Sequence, residues 1–487
     1  MELSNDISVL HKLVRELLLK VSNLERKVLS LEEENAELRE SNQKLGEENK
    51  RLKEENGELR GQIGLNSKNS HKPPSSDGYS KKTALPKTSG KKQGGQKGHK
   101  GKTLEMVRHP DEIVRHYVRQ CSCCGKTLDE RAAIGIGEKR QVFDIPTPKL
   151  AVVEHQVYIS YCCKQRQVAD FPLEIAAPVQ YGNRLLAMSS VLNTDYRLPF
   201  KKISQLFEDL YGYAVNGSTL IAANESLYDS LAPVEEYIKE GILASEVAHF
   251  DETGARVAGK LHWFHTACTP LHTYLFVHTH RGKEALQDEA SIFQDFSHWA
   301  VHDCWASYFA QSTCQHSLCN AHLLRELFNL VEQNSIWATQ MQDLLFQMYQ
   351  QSQKATQILA DKPHWIARYE AICKQADEEE PPPQIGKRGK PKNSKGRNLL
   401  NRLVQHQAAV LAFAFEQNVP FTNNLAEQAL RCIKVKLKVA MSFRTFEGAQ
   451  IYARIQTCIA TFRKQGLPIF YTILNSRSGA FPVFQYC

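Results

Sequence analysis

The sequence predicts a multidomain chain built around an α/β core in its carboxy-terminal half. Three observations carry that reading. A length of 487 residues exceeds what one hydrophobic core organises. Leucine recurs every seventh residue from Leu10 to Leu59. Between residues 245 and 318 strand-like and helix-like runs alternate in a fixed order. The expected organisation is a coiled coil over 7–63, a basic flexible linker over 64–105 and a small cysteine-containing module over 106–178. A helical region over 179–240 follows, then a core over 241–475 with a helical insertion at about 330–420, and a tail over 476–487.

The amino-terminal row Leu10, Leu17, Leu24, Leu31, Leu38, Leu45, Leu52 and Leu59 reads as position d of a heptad. Position a holds Ile7, Val14, Val21 and Val28, then Asn35, Asn42, Asn49 and Asn56, with Ile63 closing the row. Branched residues at a with leucine at d favour a parallel dimer, and asparagine at a fixes its register. The flanking charges agree with the same pairing: Lys20 would face Glu25, Lys27 Glu32, Glu34 Arg39, Glu48 Lys53 and Glu55 Arg60, all attractive. The expectation is a homodimer, or a higher oligomer, joined through this segment.

From Asn66 to Lys102 the composition turns to Gly, Ser, Pro and Lys, with ten lysines against the single Asp77. Such a stretch reads as a linker, either simply solubilising or touching phosphates without sequence preference. The net charge of +8 leans the same way, toward a polyanionic partner. No basic leader with an apolar run opens the chain, and its longest apolar stretch, Ala408 to Phe415, is too short to span a bilayer. A cytoplasmic, nucleoid-associated protein with no membrane contact is expected.

Thirteen cysteines without a secretory signal favour thiols or metal ligands over disulfides. Cys121 and Cys124 stand at C-x2-C spacing before Gly125, as in a zinc knuckle, and after strand-like runs such as AVVEHQVYISY come Cys162 and Cys163. Gln165 occupies the position where another cysteine would close the site. One Zn2+ held by Cys121, Cys124, Cys162 and Cys163 stands against small cysteines that bind no metal.

Residues 200–224 read as two short helices, the first with Ile203, Leu206, Phe207 and Leu210 on one face, the second capped by Ser218. A helix-turn-helix would suit DNA, although the second helix is poor in bases. The segment SEVAHFDETGARV reads as a buried strand ending in Asp251, with LHWFHTACT and HTYLFVHTH completing an antiparallel meander. A helix from Lys283, the strand WAVHDCWASYF ending in Asp303, and a short strand CQHSL before CNAHLLREL then give a ribonuclease H-like order. In such a sheet the first and fourth strands are neighbours, so Asp251 and Asp303 converge. Two hard carboxylates call for Mg2+, and a third acid completes a two-metal site. Glu427, early in a helix that Asn423 or Asn424 caps, is the candidate.

Other residues near these acids read more plainly. Strand alternation turns Glu252 and His302 away from the metals. Histidines 262, 265, 278 and 280 are sheet residues, and Cys319 with His322 packs or positions the site rather than binding a second metal. In the insertion, six bases lie between Lys387 and Arg397, so Lys387 and Arg388 face DNA or solvent. Arg431, Lys434, Lys436, Lys438 and Arg444 follow Glu427, placed to reach phosphates beside a scissile bond.

In order along the chain, NSKNSHKPPSSDG, GGQKGHKG, FDETGARVAGKLHWFH, VHDCWASYF, LCNAHLLREL and NNLAEQALR resemble the insertion sequence 66 family of transposases. The resemblance implies a DDE transposase with a zipper, a zinc-binding module, a helical DNA-binding region and a ribonuclease H-like catalytic core with a helical insertion. By motif the triad is then Asp251 in FDET, Asp303 in VHDCW and Glu427 in NNLAE. Its partners would be double-stranded DNA at the element ends and at the target. The sequence departs from the family at Gln165 and in KVKLKVAMSFR after Glu427, where the family carries a polar, glycine-containing stretch. The competing readings are a zipper-dimerised DNA-binding protein with an impaired core and an unrelated nuclease on the same fold.

Overall fold

A computed structural model describes residues 7–63, 104–310, 313–354, 358–383 and 393–484. The linker up to residue 103, Lys387, Arg388 and the last residues of the tail lie outside the described residues. Helix α1 (Ile7–Ile63) is continuous through Gly46. From Leu10 to Leu52 its leucine row faces solvent in the single chain, Leu17 being 58% and Leu24 61% exposed. Asn35 turns its amide back to the Leu31 carbonyl, at 2.8 Å.

Residues 104–178 hold little regular structure. The run expected to be a strand from Ala151 is one only at β1 (Ile159–Cys162), which pairs antiparallel with β2 (Gln165–Val168). The hairpin turns through Cys163 and Lys164, both at positive φ, a tight reversal that bulky residues rarely adopt.

Four helices come next: α2 (Asn183–Thr194), α3 (Phe200–Tyr211), α4 (Gly217–Ser230) and α5 (Ala232–Leu243). Ile203 and Phe207 of α3 are buried with Val215 and Leu220, whereas Leu210 is 46% exposed. Gly212 ends α3 at φ +70, a left-handed stop that suits glycine. The cap of α4 is Asn216, whose Oδ1 accepts from Ser218 N at 2.9 Å, and not Ser218 as the sequence suggested. Both short helices are present, but α4 packs on α2, α13 (Phe446–Lys464) and α14 (Ile469–Arg477), burying Leu220, Ala223, Asn224 and Leu227.

The sheet contains β3 (Val247–Val257), β4 (Lys260–Cys268), β5 (Thr273–His278), β6 (Trp299–His302) and β7 (Gln315–Leu318). Their order is β5-β4-β3-β6-β7. The first three run antiparallel, while β6 lies parallel to β3 and β7 parallel to β6. Two expectations change here. β3 does not end at Asp251 but continues to Val257, so Asp251 sits mid-strand opposite Thr266. The helix expected from Lys283 is a single turn, α6 (Lys283–Leu286).

Helix α13 lies on β5 at the sheet edge. Thr457 and Thr461, one turn apart, accept from Leu275 N at 2.9 Å and Thr273 N at 3.0 Å. Those hydroxyls occupy backbone donors an edge strand otherwise leaves open. One face of the sheet buries Phe250, Phe293, Phe296 and Ile459 in a common core. The other buries Val257, Phe264, Ile433 and Tyr452.

Beyond β7 the chain turns all-helical: α7 (Asn320–Val331), α8 (Ile336–Lys354), α9 (Lys362–Glu379), α10 (Lys395–Gln405) and α11 (Gln407–Phe415). These helices close their own core around Trp337, Leu345, Tyr369, Leu403 and Val410. Helix α12 (Asn424–Ala440) then returns to the sheet, packing along β3 and β4, and stops at Met441 with φ 65. Phe443 pairs with Val257, extending the contact to the end of β3.

Candidate active site

Asp251 points from the middle of β3 and Asp303 leaves the carboxyl end of the neighbouring strand β6. Parallel pairing of Val247–His249 with Trp299–Val301 holds the two strands in step, so both acids emerge at the same end. Glu427, in the first turn of α12, approaches from the helix side. Burial raises the Asp251 carboxyl well above the carboxylate range, and the charges of Glu252, Asp303 and Glu427 push it further. Negative charge therefore gathers here. The three acids are not gathered as one tight cluster: among the described residues their oxygens do not all lie within 4.8 Å of one another.

Neighbouring residues hold the acids in place. Glu252 N donates to Asp251 Oδ1 at 2.9 Å, and Trp305 N donates to Asp303 Oδ1 at 3.1 Å. The Glu252 side chain, itself buried, accepts from Tyr308 OH at 2.5 Å and from Arg281 Nε at 2.8 Å. Arg281 in turn lies over the rings of Trp263 and Trp305, at 5.0 and 4.5 Å. Burial, and then the charge of Asp303, raises Glu252 despite those partners. His302 is fully buried beneath Asp303, with Nδ1 2.5 Å from the Asp303 carbonyl and Nε2 2.9 Å from His316 Nδ1. Burial lowers it to about 3, which keeps it neutral.

Asn423 was expected to cap α12. It sits at the cap position but makes no side-chain capping bond. Its Nδ2 donates instead to the Phe250 carbonyl at 2.8 Å, and its Oδ1 meets His249 Nδ1 at 2.8 Å. Its backbone N donates to Cys319 Sγ at 3.1 Å. One buried amide thus fastens the start of α12 to the residue before Asp251. Two consecutive asparagines ahead of a helix signal a cap, and nothing in the sequence points to the strand as the true partner.

At Glu427, Oε1 is buried without a hydrogen-bond partner, and His322 Nε2 lies 3.9 Å away. Cys319, His322 and Glu427 are the one group of possible metal ligands within 4.8 Å of one another among the described residues. The expected zinc set is not gathered in that way. Cys121 and Cys124 share a turn closed by Gly125 N on the Cys121 carbonyl, at 3.0 Å. Backbone N–H groups of Cys124 and Cys123 lower the Cys121 thiol. Cys162 and Cys163 lie apart from that turn as an adjacent pair, with sulfurs 3.6 Å from each other.

The bases after Glu427 divide. Arg431 and Arg444 are exposed. Lys434 donates to the Gly254 carbonyl at 3.1 Å, near enough to Asp251 to feel its charge. Lys436 departs from the expected phosphate contact: it is buried, bonds the Asn193 carbonyl at 3.2 Å, and is lowered to about 8 by that burial. Helical periodicity explains the difference, since α12 buries Ile433 and Lys436 on one face while Arg431 and Lys438 fall elsewhere.

No helix of the described residues is long and apolar enough to cross a membrane. No curated protein matches the chain. Residues 11–105 match a family of unknown function (DUF6444). Residues 178–451 match the Transposase IS66 family, a span that takes in the helices before the sheet, all five strands, the helical insertion and α12 with Glu427. A match over more than half the chain, enclosing every acid of the site, means that this protein belongs to the Transposase IS66 family.

Proposed function

We propose that the chain cuts and joins DNA strands at the ends of an insertion sequence, with Asp251, Asp303 and Glu427 holding two Mg2+ ions on a ribonuclease H-like core. The convergence of charge carries this reading: Asp251 feels both Asp303 and Glu427, although they stand on separate elements. The sheet order β5-β4-β3-β6-β7, three strands antiparallel and two parallel, supports the core assignment. Carboxylate oxygens are the hard donors that Mg2+ requires, and Glu427 Oε1 is buried with no hydrogen bond to give up. Asp251, Asp303 and Glu427 would hold such ions, whose chemistry would be to activate the attacking oxygen and stabilise the leaving one.

The protein's own residues supply the rest. Asp251 and Asp303 are oriented by backbone N–H groups, Glu427 by the Asn423 clip, and neutral His302 supports the Asp303 backbone from below. Arg431, Arg444 and Lys434 line the approach to Asp251 and Glu427, with Lys387 and Arg388 as further phosphate contacts, so that double-stranded element ends and target DNA lie across the acids. Two copies joined through α1 would present two such sites, one for each end. Zn2+ on Cys121 and Cys124, with Cys162 or Cys163, remains a separate structural proposal, tested by metal content before and after Cys121→Ser with Cys124→Ser.

The deciding experiment incubates purified full-length protein with Mg2+ and DNA carrying the element ends, scoring cleavage and strand transfer. Parent activity lost in each of Asp251→Ala, Asp303→Ala and Glu427→Ala, with end binding retained, is the expected result. Full activity in any one of the three rules the triad out.

A further inference from the structure

Cys319 and His322 belong to no step above, yet they lie within 4.8 Å of Glu427. We propose that Cys319 Sγ, an imidazole nitrogen of His322 and the Glu427 carboxylate form a second cation site, selective for zinc-class ions, that competes with catalysis by capturing Glu427. The inference rests on the reading of Glu427 as a catalytic acid.

The geometry comes from the fold. Cys319 is the residue immediately before α7 and His322 lies in its first turn, so C-x2-H spacing brings both side chains to one side of the helix start. Helix α12 delivers Glu427 opposite them, fixed because Asn423 N bonds Cys319 Sγ and Asn320 N bonds the Phe421 carbonyl at 3.1 Å. Around a tetrahedral zinc-class ion, bonds of about 2.0–2.3 Å set donors roughly 3.3–3.8 Å apart. The donors, already within 4.8 Å of one another, stand about 1 Å from that spacing.

The donor chemistry separates this site from the proposed magnesium site. A thiolate and an imidazole are soft and borderline ligands that suit Zn2+ or Co2+, whereas Mg2+ takes oxygen and near-octahedral geometry. Three protein ligands leave the fourth tetrahedral position open to water. Glu427 Oε1 is buried without a hydrogen-bond partner, so no existing bond must break for it to ligate. The N–H of Asn423 on Cys319 Sγ is the kind of outer contact that orients a ligating sulfur. A zinc-class ion on Oε1 leaves Glu427 one oxygen, and it fixes the carboxylate toward Cys319 and His322, so zinc-class binding competes with the phosphoryl-transfer site for the third acid.

The test uses full-length protein with Cys121, Cys123, Cys124, Cys162 and Cys163 changed to Ser, and Co2+ as the probe. One Co2+ per chain, with a thiolate-to-cobalt charge-transfer band and tetrahedral visible bands, is expected. Cys319→Ser should abolish the charge-transfer band. His322→Ala and Glu427→Gln should each weaken binding by about a hundredfold or more, since even outer-shell partners are worth roughly ten- to a hundredfold. Absence of the band in folded protein, or equal Co2+ affinity with Glu427→Gln, overturns the proposal. Because this readout needs no activity, a missing triad function would not be mistaken for a missing site. Where cleavage is measurable, micromolar Zn2+ should inhibit it at fixed Mg2+, and Cys319→Ser should relieve the inhibition. Unrelieved inhibition counts against the shared carboxylate.

Discussion

Asn423 concentrates the difference between what a residue is by type and what it does in place. It has the side chain of a helix cap, yet its amide bridges His249 and Phe250 from a position 174 and 173 residues later in the chain. Asn423→Ala should cost about 2–3 kcal/mol of stability, because buried partners lose their bonds. As a positioning residue it should lower kcat for cleavage with little change in the substrate concentration for half-maximal rate, since Glu427 moves and the DNA contacts do not. Direct loss of the acids should be far harsher: Asp251→Ala, Asp303→Ala and Glu427→Ala should each slow cleavage by about a thousandfold or more, some 4 kcal/mol of barrier. Buried histidines add a pH dependence. His249 and His265 are lowered by burial from 6.5 to about 4. The unfolded chain protonates them first, so stability is complete above pH 6.5 and falls as pH drops toward 4. A difference of 2.5 units corresponds to about 3 kcal/mol for each. Burial-raised Asp251 and Glu252 work in the opposite sense. Urea titrations at pH 7 and pH 4.5 should therefore show a flatter response for His265→Gln than for the parent, and an unchanged slope would reject this origin.

Elements were legible in the sequence to the degree that their pattern was local. The heptads of α1 and the apolar face of α3 rest on periodicity alone, and both helices stand over the expected residues. Strand length was less legible. Phe250, Glu252 and Thr253 are all buried around Asp251, so alternation gave no sign of where β3 stops, and only pairing with β4 carries it to Val257. The stretch from Lys283 read as a full helix because its composition permits one; Gln287 onward is shaped instead by packing of Ile292, Phe293 and Phe296 into the core. Lys436 likewise looked like one more base in a basic run until the buried face of α12 was known. Arg431→Ala and Arg444→Ala should each weaken DNA binding across sequences and reduce its salt slope by about one. Lys436→Ala should leave that slope alone and lower the unfolding temperature, because its loss orphans the Asn193 carbonyl. For α1, the full chain should sediment as a dimer at tens of micromolar, by the energetics of leucine-rich heptads, and Leu24→Lys with Leu31→Lys should make it monomeric. A doubly substituted chain that stays dimeric would place the interface elsewhere.

At the scale of the whole molecule, the sheet and the helical insertion centre on two cores, one around Phe250 and Ile459, the other around Trp337 and Tyr369, and the second reaches the sheet at Leu318 of β7. The order of elements was legible because the acids punctuate it. Their mutual distances were not, since they depend on how a long helical excursion returns. The Asn423 clip sets when that return is complete. An insertion with its own core shortens the effective loop between Phe250 and Asn423, and reduces the entropy lost in closing it. Even so, the closure awaits synthesis of α12, after the sheet and insertion have left the ribosome. A nascent chain therefore carries Asp251 and Asp303 without Glu427 beside them while the residues between Asp303 and Glu427 are being made. Timing of synthesis then keeps the proposed triad incomplete until α12 is made, and because α12 and α13 cover both faces of the sheet, a chain truncated ahead of Asn423 should lose the packing of its sheet and leave DNA intact.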